Sequence, residues 1–160
     1  SGNENPHTRM KKLVNTKNAR RGVYEKVIEG IATRGVCPFC LEHLQTYHKK
    51  PLQGRTQWWV TNNMYPYHPV RHHVLLIHKK HIEHITELSS EAWNELREIL
   101  TELTKKRKIA GGAFVLRFGD IHFTGASVAH LHAHLVQSDP EHADYSKEKK
   151  LTEGVIMRIG

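Results

Sequence analysis

The stretch His130-Leu-His-Ala-His-Leu-Val136, "HLHAHLV", sets three histidines on every second position of an apolar run. A period of two is the pattern of a β-strand, whose successive side chains point to opposite faces. His130, His132 and His134 are therefore expected on one face, with Leu131, Ala133 and Leu135 on the core side. Alternate imidazoles stand ~7 Å apart along such a strand, from a rise of roughly 3.3 Å per residue. Two can share a metal, whereas three converge on one ion only if the strand bends. Metal ligation, nucleophilic chemistry and a solvated polar face are the uses open to this strand. Strict alternation of three favours the first two.

Working outward, the histidine strand is expected over 128–136, after a polar loop containing "FTGAS" (123–127). Before that loop, "GAFVLRF" (112–118) reads as another strand bounded by glycines. Trp93, Leu96, Ile99, Leu100 and Leu103 form the stripe of a helix from about Ser90 to Arg107. Ser89 or Ser90 caps it, Glu91 sits at its positive end, and "KKRK" (105–108) complements the dipole in its last turn. Further upstream, "HHVLLIH" (72–78) reads as a buried strand and "TQWWVTN" (56–62) as a second, with Pro66 and Pro69 between them. Residues 42–55 are polar, carry Pro51 and Gly54, and are expected to be a loop. Tyr24, Val27, Ile28 and Ile31 predict a helix from about Asn18 to Thr33, stopped by Gly35. The tail is polar until "GVIMRI" (154–159), an expected short strand.

The order α-β-β-α-β-β predicts an α+β domain with an antiparallel sheet and two main helices. It would be organised as a flexible segment over 1–16, the folded domain over 17–137 and a tail over 138–160.

At 160 residues the chain is long enough to bury a core. No apolar run approaches the ~20 residues of a membrane span, and no signal segment opens the chain, so no membrane partner is expected. Two cysteines, as "CPFC" at 37–40, argue against a disulfide framework and for an intracellular, cytoplasmic setting. With 24 Lys and Arg against 16 Asp and Glu, the net charge of +8 attracts polyanions, whether nucleotide phosphates, nucleic acid or an acidic partner. Aromatics do not interleave with the basic clusters as stacking on single strands requires, so nucleic acid is the less favoured partner.

Cys37 and Cys40 supply two thiolates, half of a tetrahedral zinc site. His81 and His130 are the strongest candidates for the other half, and His72, His73, His78 and His84 read as surface or strand-end residues. The other reading of the cysteines is a small apolar pair under the first helix.

These stretches carry a resemblance. "HLHAHLV" resembles the H-φ-H-φ-H-φ-φ signature (φ apolar) of the histidine triad superfamily of nucleotide hydrolases and transferases, Ala133 being the one small exception. "NNMYPYHPVRHHVLLIHKKHIEHITELS" (62–89) is similar to the family's asparagine, proline, apolar strand and P-K-x-H ahead of a helix. The similarity runs from about Tyr24 to Gln137 and is greatest to members with a CxxC zinc knuckle. It implies a HIT-like antiparallel sheet, a homodimer, and a structural zinc held by Cys37, Cys40, His81 and His130. It also implies that His132 attacks the α-phosphate of an adenosine-type nucleotide, a dinucleoside polyphosphate or a nucleoside phosphoramidate, through a nucleotidyl-histidine intermediate. His134 and the Ser127 hydroxyl would contact phosphate or leaving group, and Gly125 would let backbone amides approach the phosphate. Asn63, or the adjacent Asn62, would hold the ribose. Trp59 and Ile77 would flank the base, with plain core the other reading of Trp59.

Three positions depart from the family. His78 replaces the proline of P-K-x-H, Ala126 stands where many hydrolases have glutamine, and Gly119 stands where many have Asn or Gln. Asp120 is the candidate substitute for the last. All three changes fall on contacts to the phosphates and leaving group. The third histidine argues against the uridylyltransferase branch, which has glutamine there. Two alternatives stand beside this reading: a metallohydrolase using HxHxH itself as a catalytic metal site, and a HIT-like protein binding DNA ends or other nucleic acid.

Overall fold

Alternation in the C-terminal half of the chain builds an inner strand of the sheet, beside its central one. A computed structural model describes residues 13, 14, 16, 23–145 and 154–159. Two helices come first, α1 (Val23–Arg34) and α2 (Leu41–Tyr47), then strands β1 (Gln53–Gly54), β2 (Trp58–Asn62) and β3 (Val70–His78). A single helical turn at Ile85–Glu87 leads to α3 (Ser90–Lys106), followed by β4 (Ala113–Arg117), the short α4 (Ile121–Thr124) and β5 (His132–Ser138). The sheet order is β1-β2-β3-β5-β4, antiparallel throughout. β5 therefore lies between two neighbours, with Leu75 and Val115 flanking His134, and Ile77 and Arg117 flanking His132.

One face of the sheet packs on α3. Leu96, Ile99 and Leu103 meet Val60, Val74, Leu76, Leu131, Ala133 and Leu135, all buried. Truncating a fully enclosed member such as Leu96 to Ala costs about 2–5 kcal/mol, from lost transfer energy and the cavity left behind. Ser89 is the cap of α3, its side chain accepting from Ala92 N–H at 3.1 Å. The Glu95 carboxylate accepts from the backbone N–H groups of Thr56, Gln57 and Trp58, fastening the start of β2 to the helix. On the other face, Leu75 and Ile77 pack on Leu44 of α2, and Ile28 and Ile31 of α1 pack on Val14 and Val128.

Several expectations are corrected. The histidine strand starts at His132, not at 128. Leu131 instead bonds at its N–H to Ile82 and at its carbonyl to the His78 N–H, because β3 has ended and its chain turns to bring His81 inward. Residues 42–55 hold α2 and β1; a seven-residue helix anchored by Leu44 alone is too short to show a periodicity. Trp93 is 39% exposed and Ala92 is buried in its place, with the Trp58 indole N–H donating to the Ala92 carbonyl at 2.9 Å. Residues 154–159 form no strand; the Arg158 carbonyl accepts from the Arg117 side chain rather than from a ladder. The first helix is described from Val23, and its expected start at 18–22 lies outside the described residues. Among the described residues, no helix is long and apolar enough to cross a membrane.

Candidate functional site

Gly35, at φ +65°, ends α1 in the left-handed conformation that suits glycine and turns the chain into Cys37. Cys40 then forms the N-cap of α2, its carbonyl accepting from His43 and Leu44 N–H. From the opposite side, the end of β3 delivers His81, and the residue two before β5 is His130. The ligand atoms of Cys37, Cys40, His81 and His130 all lie within 4.8 Å of one another. Cys40 Sγ is 3.3 Å from His81 Nδ1, and His130 Nδ1 is 3.5 Å from Cys37 Sγ and 3.7 Å from Cys40 Sγ. Zn–S bonds of about 2.3 Å and Zn–N bonds of about 2.0–2.1 Å at a tetrahedral angle put sulfur and nitrogen about 3.6 Å apart, so the four residues fit zinc.

The outer nitrogens of both rings are engaged as metal-binding histidines require. His130 Nε2–H donates to the His78 carbonyl at 2.6 Å, and His81 Nε2–H donates to Glu83 Oε1 at 3.1 Å. Each Nδ1 is left facing the thiols. Burial holds His130 at a pKa of about 4, so it is neutral at pH 7 and a competent ligand. Burial also pushes both thiols up, Cys40 to about 12, aided by the neighbouring Cys37. The pair ionises at neutral pH only with a cation between the sulfurs.

Beyond His130 the site opens into a cavity of about 800 Å³. Asn63, Gly125, Ser127, His132 and His134 line it, with Tyr24 of α1, Tyr65 and Tyr67 of the β2–β3 connection, and Arg117 of β4. His132 Nδ1–H donates to the His130 carbonyl at 2.7 Å. Its tautomer is thereby set, and Nε2 keeps its lone pair. Burial, opposed by that hydrogen bond and reinforced by the Arg117 charge, lowers its pKa to about 4. At pH 7 this is a neutral imidazole with one free nitrogen, the form that attacks an electrophile.

His134 is oriented by a residue read as peripheral from sequence. The Tyr67 N–H donates to His73 Nδ1 at 3.0 Å, so neutral His73 carries its proton on Nε2. That nitrogen lies 2.9 Å from His134 Nδ1 and donates to it, leaving the His134 proton on Nε2. His73 is buried, with the Tyr67 ring stacked on it at 4.5 Å. The register carries the missing signal: His73, Leu75 and Ile77 share the face of His134 and His132. His78 is also buried, edge-on to Trp58, and its carbonyl takes the His130 proton.

The remaining candidates separate. Ser127 Oγ is hydrogen-bonded to the Tyr24 hydroxyl. Asn63 Oδ1 accepts from the Tyr65 N–H at 2.8 Å, while Asn62 turns away and accepts from Arg107 Nη1 at 2.7 Å. Gly125 takes φ +72° at the end of α4. Asp120 caps α4, accepting from the His122 N–H, and does not line the cavity. Trp59 lies under the Lys79 ammonium at 4.4 Å and Ile77 is buried against Leu44; neither lines the cavity.

An antiparallel sheet whose inner strand β5 carries His132 and His134, with His130 two residues before it, defines a protein of the histidine triad class. Residues 8–150 match the family model described as "Scavenger mRNA decapping enzyme C-term binding", and the chain belongs to that family, within the histidine triad superfamily. Solved structures share the fold. A hypothetical protein from Leishmania major is 17% identical over 79% of this chain and 81% of its own, with a TM-score of 0.55. A histidine triad nucleotide-binding protein from Candida albicans is 20% identical over 72% and 91%, with a TM-score of 0.53. A zinc-bound histidine triad family protein from Mycobacterium smegmatis is 16% identical over 68% and 79%, with a TM-score of 0.52. No curated protein matches the sequence.

Proposed function

We propose that the protein is a nucleotidyl hydrolase or transferase that cleaves at the α-phosphate of an adenosine-type nucleotide through a covalent intermediate on His132. The observation that carries this reading is the hydrogen bond from His132 Nδ1–H to the His130 carbonyl, which leaves a neutral Nε2 directed at an open cavity. The Nε2 lone pair forms a bond to phosphorus as the bond to the leaving group breaks, and the electron pair departs with that group. The imidazolium so formed keeps Nδ1–H on the carbonyl. Water or another acceptor then attacks phosphorus, the N–P bond breaks, and the acceptor's proton is released. His134, donating from Nε2, and Ser127 would hold phosphate oxygens during both transfers. Asn63 and the tyrosines beside it would take the nucleoside.

A zinc held by Cys37, Cys40, His81 and His130 would have a structural part: it would tie the start of α2 and the turn after β3 to the residue two before β5. Its closed set of four protein ligands has no position for substrate. The Mycobacterium smegmatis relative is described as zinc-bound, and the family's description concerns mRNA decapping, which agrees with a phosphoanhydride substrate. Pairing as a homodimer is part of the same proposal.

The test is rapid quenching after mixing with a diadenosine polyphosphate or AMP-phosphoramidate, followed by intact mass. An acid-labile adduct of one AMP on the wild type, absent from His132→Ala, is expected. A wild type that turns over substrate with no adduct, or an adduct that survives in His132→Ala, contradicts the reading.

A further inference from the structure

We propose that His68, His142 and Asp144 form a separate metal site at the surface, which binds a divalent transition-metal ion of the zinc, nickel or copper kind. These residues line neither the cavity nor the cysteine corner.

Sequence does not join them: His68 belongs to the β2–β3 connection, whereas His142 and Asp144 follow β5. The fold does. The Asp139 N–H donates to the Pro69 carbonyl at 3.1 Å, and Arg71 pairs with Asp139 through Nε at 3.2 Å and with Glu141 through Nη2 at 3.0 Å. Beyond that anchor the chain turns twice, with the His142 N–H on the Asp139 carbonyl and the Tyr145 N–H on the His142 carbonyl. The backbone is thereby tied down at His142 itself and at the residue after His68.

On this frame the ligand atoms of His68, His142 and Asp144 lie within 4.8 Å of one another. His68 Nε2–H donates to Asp144 Oδ2 at 2.9 Å, and His142 Nδ1 stands 3.8 Å from the same oxygen. The two imidazoles meet edge to face, with ring centroids 4.7 Å apart. Metal–nitrogen bonds of about 2.0–2.1 Å and metal–oxygen bonds of about 2.0–2.2 Å, at square to tetrahedral angles, set nitrogen and oxygen about 2.8–3.5 Å apart. The first separation already falls in that range. The second enters it by a small rotation of the exposed His142 ring.

A lone surface pair of histidine and carboxylate is ordinary and stabilises little. This cluster differs in having a second imidazole beside the same carboxylate oxygen, brought from another part of the chain. Two imidazoles with one carboxylate suit zinc, nickel or copper, whereas magnesium and calcium take oxygen ligands. Coordination costs two small rearrangements. The His68 proton moves from Nε2 to Nδ1, and His142 Nδ1 gives up the Asp144 N–H that donates to it at 3.0 Å. With those costs and no thiolate, this site is the weaker of the two. His68 follows Tyr67, whose N–H and ring contact His73, so the ion would fasten the chain after β5 to one wall of the cavity.

Calorimetric titration of zinc chloride tests the site, in protein first saturated with zinc and then cleared of loosely held ion. Wild type is expected to take up a further zinc ion per chain, with affinity about tenfold or more weaker in His142→Ala and in His68→Gln. Asp144→Asn, which keeps the shape and removes the charge, is expected to lose less. Melting curves without added zinc are expected to match wild type, since none of the three side chains is buried. Added zinc is expected to raise the melting temperature of wild type more than that of the double variant His68→Gln/His142→Ala, because the ion binds the folded arrangement. No uptake by wild type beyond the zinc it already holds, or a further ion held equally by wild type and the double variant, overturns the proposal.

Discussion

His130 and His132 are two residues apart in one apolar run, yet they stand in opposite kinds of surroundings. His130 is fully enclosed, its Nε2–H spent on the His78 carbonyl and its Nδ1 within 3.7 Å of two sulfurs. His132 spends its Nδ1–H on the His130 carbonyl and presents Nε2 to the open cavity. The residue type is the same and so is the protonation state. What differs is which nitrogen the backbone occupies and what the other one faces. One carbonyl per ring leaves the open nitrogen of the first imidazole facing the thiols and that of the second facing the cavity, and the proposed division of roles rests on that difference.

That contrast breaks most visibly at the closed corner. Chelation of the metal, or Cys37→Ser, is expected to lower the melting temperature by more than ~10 °C, reflecting on the order of 5 kcal/mol of coupled binding and folding. Calorimetric melting with metal analysis checks it; an unchanged melting point would mean that the corner fastens nothing. At the open end, His132→Ala is expected to cut turnover by on the order of 10³–10⁴-fold, as loss of a nucleophile does, with melting within ~5 °C of wild type. Steady-state kinetics beside a melting curve separate the two readouts.

Smaller effects sharpen the same contrast by removing the partners rather than the histidines. Glu83→Gln weakens the acceptor behind His81 and is expected to lower zinc affinity about 10–100-fold with little effect on kcat in zinc-loaded protein. His73→Asn removes the donor behind His134 and is expected to lower kcat by a similar factor with nucleotide affinity nearly unchanged. Competition with a zinc chelator measures the first, and a split of kcat from KM the second.

The smallest effect lies in the wall near the cavity. His48 donates from Nε2 to Thr61 Oγ1, which donates onward to the Pro51 carbonyl, and burial lowers its pKa, with Lys50 adding to the shift. The unfolded chain therefore binds more protons than the folded one as pH falls through 6.5, and stability falls with it. His48→Gln is expected to flatten the melting temperature between pH 7.5 and 5.5 relative to wild type. An identical slope in both proteins would show that His48 does not titrate in that window.

Period and spacing made much of this legible. The alternation of 130–136 placed Leu131, Ala133 and Leu135 on the core side and the histidines on the other, and the stripe of α3 located its long axis and cap. That Cys37, Cys40, His81 and His130 come together was legible because CxxC supplies half of a zinc site and only a few histidines were placed to finish it. His73 was not legible, since its role comes from the β3–β5 register and from the Tyr67 N–H, neither of which has a local pattern. Arg117 was passed over for the same reason: it sits in an ordinary strand, and only pairing with His132 brings it to the cavity. Asn62 and Asn63 could not be separated without knowing where β2 ends, which turns one toward Arg107 and the other toward the site.

The division of the triad is tested most directly by counting zinc in His132→Ala. One zinc per chain, as in wild type, with turnover abolished, is the expected result: the metal belongs to His130 and the chemistry to His132. Loss of the metal together with His132 would contradict that division and place the ion on the HxHxH strand itself.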